Sequence, residues 1–169
     1  MVTTSHALPA SPACPLWRRL AALLYDLLAV LAIVMVVGYL CQRLTGGRVV
    51  TDDGHAHIAW WYQPLQGVVV SAYFLTSWLR GGQTLGMRPW RIRLTRSEGG
   101  PLSASQAIVR LVVVAAPLVL LALAPWLGAR GALWAVGMAW IVWFGVAALD
   151  PRRRALHDRV AGTELHWQP

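Results

Sequence analysis

Residues 20–40 form a run of 21 with a single charge among them, Asp26, and the pair Arg18 and Arg19 leads into it. A helix needs about 20 apolar residues to cross the hydrocarbon of a bilayer, so the run predicts a membrane span. Helix is the expected form because lipid offers no partner to an unpaired backbone group. Three further runs, residues 58–79, 107–127 and 132–149, are of similar length, the last being the shortest. With 57% hydrophobic and 13% charged residues and a mean hydropathy of +0.51, the chain departs from soluble composition. The expected fold is an all-α membrane protein of four transmembrane helices.

The first 16 residues are rich in Pro, Ser, Thr and Ala and read as a disordered cytoplasmic tail. No small-residue cleavage pattern follows the first apolar run, so it is expected to be a retained span rather than a signal peptide. Residues 17–165 then make one membrane domain and 166–169 a C-terminal tail. Cys14 and Cys41 flank the first span at opposite ends, which excludes a disulfide between them. The longest polar interval, residues 80–105, contains "WRIRLT", whose alternation predicts a short basic amphipathic strand at the membrane surface.

All fifteen basic residues are arginine, and the net charge of +8 would, without context, suggest a nucleic-acid partner. Their placement argues otherwise. On a four-span chain both termini share one face, with Arg18, Arg19, Arg80, Arg88, Arg91, Arg93, Arg96, Arg110, Arg152, Arg153, Arg154 and Arg159; only Arg43, Arg48 and Arg130 fall on the other. The positive-inside rule puts the richer face in the cytoplasm, against anionic lipid headgroups. Trp17, Trp78 and Trp90 are expected to flank the inner boundary and Trp60, Trp61, Trp126 and Trp134 the outer one, with Trp140 and Trp143 as packing residues.

A carboxylate within a span is costly and must face protein or water, so Asp26 is the first candidate site residue. Arg19 lies two helical turns before it, on the same face but about 10 Å away. The expected partner is Arg110, one turn into the third span. An Asp26–Arg110 pair would neutralise two costly groups together, and the cation would favour the charged carboxylate. A cation or proton site and a structural ion pair are both open readings.

"GGQTLG", residues 81–86, lacks the Lys-Ser or Lys-Thr of a phosphate loop and is read as a tight exit from the second span, with Gln83 and Thr84 serving freed carbonyls. "TDDGHAH", residues 51–57, gathers acids and histidines at loose spacing, so a solvated loop is preferred to a metal site. "DPRRRALHDRVAGTEL", residues 150–165, stops the last span at Pro151. It then suggests a short interfacial helix with Leu156 and Val160 buried and Gly162 as its cap, which places His157 and Asp158 at the surface. No triad, Cys-His pair or HExxH is visible, so neither an enzyme nor a cofactor or metal is expected.

Three of these pieces together resemble the RDD family of small bacterial membrane proteins, named for one arginine and two aspartates. "RRLAALLYD" is similar to its opening, with Arg19 and Asp26 as the first two namesakes. The Gly-Gln-Thr-x-Gly loop followed by Gly-Gly-Pro-Leu-Ser and Arg110 resembles its centre, though Met87 stands where the family usually has Lys. The Leu-His-Asp of residues 156–158 resembles its end and favours Asp158 over Asp150 as the second aspartate. The resemblance implies an inner-membrane protein linked to transport of a small cation coupled to protons. Four short helices scarcely enclose a pathway, so that role needs a homo-oligomer, for which Gly131, Ala135 and Ala139 offer a small-residue stripe. The alternative is a non-transporting scaffold or assembly factor that binds a partner protein or anionic lipid.

Overall fold

The structure, a computed structural model, describes residues 14–52, 56–151 and 154–168. Helix α1 (Leu16–Leu44) is 29 residues long, or about 43 Å, more than enough to cross a bilayer. Its charged face is turned in and its apolar face out: Arg19, Ala22 and Asp26 are buried, while Leu20, Leu24, Leu27, Leu31 and Met35 are exposed. That is the inverse of a soluble amphipathic helix and suits an apolar solvent.

A small antiparallel hairpin, β1 (Val50–Asp52) and β2 (Ala56–Ile58), leads into α2 (Tyr62–Gly81), which runs back along α1. The two helices are tied by Gln66 Nε2 donating to the Val34 carbonyl (3.1 Å) and by Tyr73 donating to Asp26 (2.9 Å). They approach closely at Gly38, where a Cβ would meet the Tyr62 hydroxyl at 2.6 Å.

Helix α3 (Ala104–Ala115) starts with the capping box that "SASQ" encodes: Ser103 Oγ accepts from the Gln106 N–H and Gln106 Oε1 from the Ser103 N–H, each at 3.2 Å. It continues as a 3-10 stretch (Ala116–Leu123) and then α4 (Ala124–Leu149). Pro117 explains the change of winding. Without an N–H it leaves the carbonyl of Val113, its α-helical partner, or of Val114, its 3-10 partner, without a donor. Trp143 Nε1 donates to Val113 and Trp140 Nε1 to Val114, both at 3.1 Å. These bonds come from the returning arm of a hairpin that turns at Gly128 (φ 70°, ψ 162°).

Among the described residues, α1 and the stretch 104–149 have both the length and the apolar character to cross a membrane. The second is 46 residues long but folded back at Gly128, so it forms two arms rather than one rod. Helix α2 has the length but is less apolar than these two.

The packed core lies at the end where 16, 81, 104 and 149 converge. There β3 (Ile92–Arg96), the strand foreseen in "WRIRLT", pairs antiparallel with β4 (Thr163–Trp167), Ile92 opposite Trp167 and Leu94 opposite Leu165. Strand β4 takes up His166 and Trp167, where the sequence predicts a tail. Cys14, also in a predicted tail, is fully buried, and its N–H reaches the Leu165 carbonyl (3.3 Å). Ile92, Leu94, Leu102, Met87 and Trp78 fill this cap, so Trp78 is a core residue rather than a member of the aromatic belt. Trp60, Trp126 and Trp134, toward the opposite end, are largely exposed, and Trp61 is half-buried.

Helix α5 (Leu156–Ala161) forms where foreseen and ends at Gly162 (φ 62°). Its orientation differs from the expectation: Val160 is exposed, and the buried face carries His157, Asp158 and Ala161. The side chains of the Asp52, Asp53, His55 and His57 cluster lie outside the described residues, as do Arg152 and Arg153.

Candidate functional site

The stripe of α1 that bears Arg19 and Asp26 serves two separate carboxylate clasps. Asp26 is held by the central loop and α2. Tyr73 Oη donates to Oδ1 at 2.9 Å, the Gly86 N–H to the same oxygen at 2.9 Å, and Thr84 Oγ1 to Oδ2 at 2.5 Å. The donors are themselves fixed: the Leu85 N–H donates to Tyr73 Oη (3.1 Å) and the Met87 N–H to Thr84 Oγ1 (3.3 Å). Gly86 has to be glycine here, since a Cβ would lie 2.7 Å from the Asp26 Cγ and strike the Ala22 carbonyl. All three donors are uncharged.

Arg110 is not the partner of Asp26. It binds Asp158 Oδ1 through Nη1, which also donates to Thr163 Oγ1 (2.9 Å), and its guanidinium lies over the Trp78 ring, 5.3 Å from the centroid. Arg19 reaches the other oxygen of Asp158 at 3.3 Å. The Ala155 N–H donates to that same oxygen (2.9 Å), so Asp158 also fixes the first turn of α5. The paired expectation failed because helical spacing shows which residues share a face, not which element packs against it.

Asp158 is 0% exposed, Arg110 3% and Arg19 8%; one carboxylate thus joins α1, α3 and α5 beneath the β3–β4 sheet. Burial by itself would raise the Asp158 pKa, but the guanidinium groups of Arg110 and Arg19 outweigh it and hold it below the usual carboxylate value. His157, expected at the surface, is 3% exposed and lies edge-on to Phe144 at 5.2 Å. Burial, with Arg110 and Arg19 adding and Asp158 opposing, depresses its pKa to about 3, so it is neutral. Its Nε2 is 3.6 Å from Asp158 Oδ1, too long for a hydrogen bond, and no dyad forms.

Asp150 stands apart. It accepts from the Arg154 backbone and side chain (2.9 and 3.0 Å), which lowers its pKa, and it closes the end of α4. Gln83 Nε2 donates to the Ile92 carbonyl (2.8 Å), fixing the loop against β3, whereas Thr84 serves Asp26 and no freed carbonyl. Tyr73, Gly86 and Thr163 went unnoticed in the sequence. Only Gly86 carried a local signal, as the last glycine of the loop motif. Among the described residues, no three His, Cys, Asp or Glu side chains gather as a metal site would require.

Asp26, and Asp158 with Arg19 and Arg110, thus mark the two clasps, and the model of the RDD family matches residues 13–162, which include all four. The chain belongs to the RDD family. No curated protein and no solved structure is detectably similar to it. In this RDD protein Arg19 and Asp158 are in direct contact, and Asp26 is bound by neutral donors two turns along α1.

Proposed function

We propose that this RDD protein is a membrane scaffold: a multi-pass protein of the bacterial inner membrane whose signature residues lock a basic cap at the cytoplasmic face. The cap offers its arginines to anionic headgroups or to a partner protein. The observation that carries this reading is the commitment of both aspartates. Each carboxylate oxygen of Asp26 and Asp158 is bound by donors of this chain, and both residues are buried. Outside the clasps, Arg88, Arg91, Arg93 and Arg96 are exposed around the same end.

Transport of a small cation, as a homo-oligomer and coupled to protons, is the second reading, and one observation favours it. A carboxylate with the hydroxyls of Tyr73 and Thr84 at 2.9 and 2.5 Å, and no cationic side chain among its described partners, is a donor set that a desolvated monovalent cation could take over. Sodium and proton flux into liposomes holding the purified protein separates the two. A scaffold gives the flux of empty liposomes. Flux that Asp26→Asn abolishes, in protein that still inserts and melts cooperatively, would overturn the scaffold reading in favour of transport.

A further inference from the structure

A pocket of about 290 Å³ opens where α1 leaves the cap, lined by Trp17, Arg18, Pro89, Trp90, Arg91 and Trp167. Its chemistry is one-sided, with two guanidinium groups, three indoles and no acid. Arg18 is held between indoles, its Cζ 5.1 Å from the Trp17 ring centroid and 4.5 Å from that of Trp167. Trp17 meets Trp90 edge-on at 5.4 Å and Tyr25 meets it at 6.1 Å. Among the described residues, Arg18 Nε, Trp90 Nε1 and Trp167 Nε1 are buried donors without an acceptor. Arg91 takes φ +52°, a left-handed backbone that a non-glycine residue rarely adopts, and its carbonyl is tied to the Gln168 N–H at 2.9 Å.

Donors without a described acceptor, beside two arginines with no acid among the described lining residues, ask for an anion rich in oxygen. The pocket's position narrows the choice. Trp17 is 56% exposed at its rim, and the exposed apolar face of α1 continues from there through Leu20, Leu24, Leu28 and Leu31. A ligand seated here would have its charged group among the arginines and indoles and an apolar tail along α1. We infer that the pocket is a site for the phosphodiester headgroup of an anionic phospholipid, held by Arg18, Arg91 and the indole N–H groups of Trp90 and Trp167. The inference rests on the cap lying at a membrane face, and it gives the scaffold a lipid contact of defined geometry in place of a diffuse attraction.

The test is lipid retention by the full-length protein in nanodiscs of mixed phosphatidylglycerol and phosphatidylcholine, read by native mass spectrometry. The wild type should retain one phosphatidylglycerol in preference to phosphatidylcholine. Arg18→Gln should cut that preference about fivefold, the effect of one arginine near an anionic surface, and Arg91→Gln, at an exposed position that spares the fold, should act in the same direction. Arg96→Gln, an equal loss of charge on the same cap but outside the pocket, should lower the preference by less than about twofold. Three results would overturn the site: no preference in the wild type, an equal loss in Arg96→Gln, or displacement of the lipid by millimolar glycerol 3-phosphate, which would mean a soluble phosphate ligand. Because the readout is lipid identity rather than ion flux or sidedness, its failure leaves the scaffold and transport readings separately testable.

Discussion

Asp158 carries two arginines in the dry interior of the cap, so the order in which its partners can be lost is set by charge. Asp158→Asn strands both cations and should cost about 3–5 kcal/mol, the effect of leaving a buried charge uncompensated. Arg110→Gln should cost less, because Arg19 still neutralises the carboxylate, and Arg19→Gln least, since Arg110 also holds Thr163 and Trp78. Thermal melts in detergent should show that ranking; equal losses for all three would mean the network is not electrostatic in origin. Asp26→Asn strands no cation and should cost about 1–3 kcal/mol through unmatched donors. His157 adds a pH dependence of definite sign. Its pKa is about 3 in the fold against an ordinary 6.5, so below pH 6.5 the unfolded chain takes up a proton that the folded chain refuses. Stability should therefore fall with pH between 6.5 and 3, by up to about 1.4 kcal/mol per unit, and the lowered pKa of Asp158 extends the loss below the carboxylate range. His157→Gln should flatten the melting temperature between pH 7.5 and 5. Arg19, Asp26 and Arg110 were legible in the sequence as charges in apolar surroundings, and Asp158 only through the family resemblance; their pairing was not, because it depends on how α5 docks.

Elements were read best where a local rule fixes them. The strand in "WRIRLT" and the Gly162 stop each follow from chemistry within a few residues. Strand β4 was not read because its register is set by β3, about seventy positions earlier, and the alternation of Thr163, Leu165 and Trp167 is too short to stand alone. Pro117 is a local signal whose consequence is distant. Trp143→Phe removes the donor to Val113 and should cost about 1–3 kcal/mol, since an unmatched carbonyl in apolar surroundings has no water to turn to. Pro117→Ala returns a backbone N–H to that neighbourhood. In that background Trp143→Phe should cost less than half as much, and a double-mutant cycle on melting temperature measures the difference. An additive cycle would mean that Trp143 and Pro117 do not share the carbonyl.

At the scale of the whole molecule, burial and exposure are divided by position rather than by side-chain class. Most described charges and the close-packed core gather at one end, in the β3–β4 cap and the turns beneath it, while α1 and both arms of the 104–149 hairpin expose leucine, valine and tryptophan along their length. So large an exposed apolar surface is not sustained in water, and it fits a bilayer around the helices with the cap outside it. Arg80, Arg88, Arg93 and Arg96 belong to the cap end, and Arg43, Arg48 and Arg130 to the far end. On the scaffold reading proposed above, the positive-inside rule predicts that the cap faces the cytoplasm. Single cysteines in a background lacking Cys14 and Cys41 test this in intact cells. Glu98→Cys, exposed beyond β3, should stay unlabelled by an impermeant maleimide until the membrane is opened. Gly54→Cys, in the connection between β1 and β2, should react at once. The reverse pattern would put the cap outside the cell, away from the anionic inner leaflet its arginines suit. Labelling of both sites in intact cells would place the two ends of α1 on one side and exclude α1 as a span.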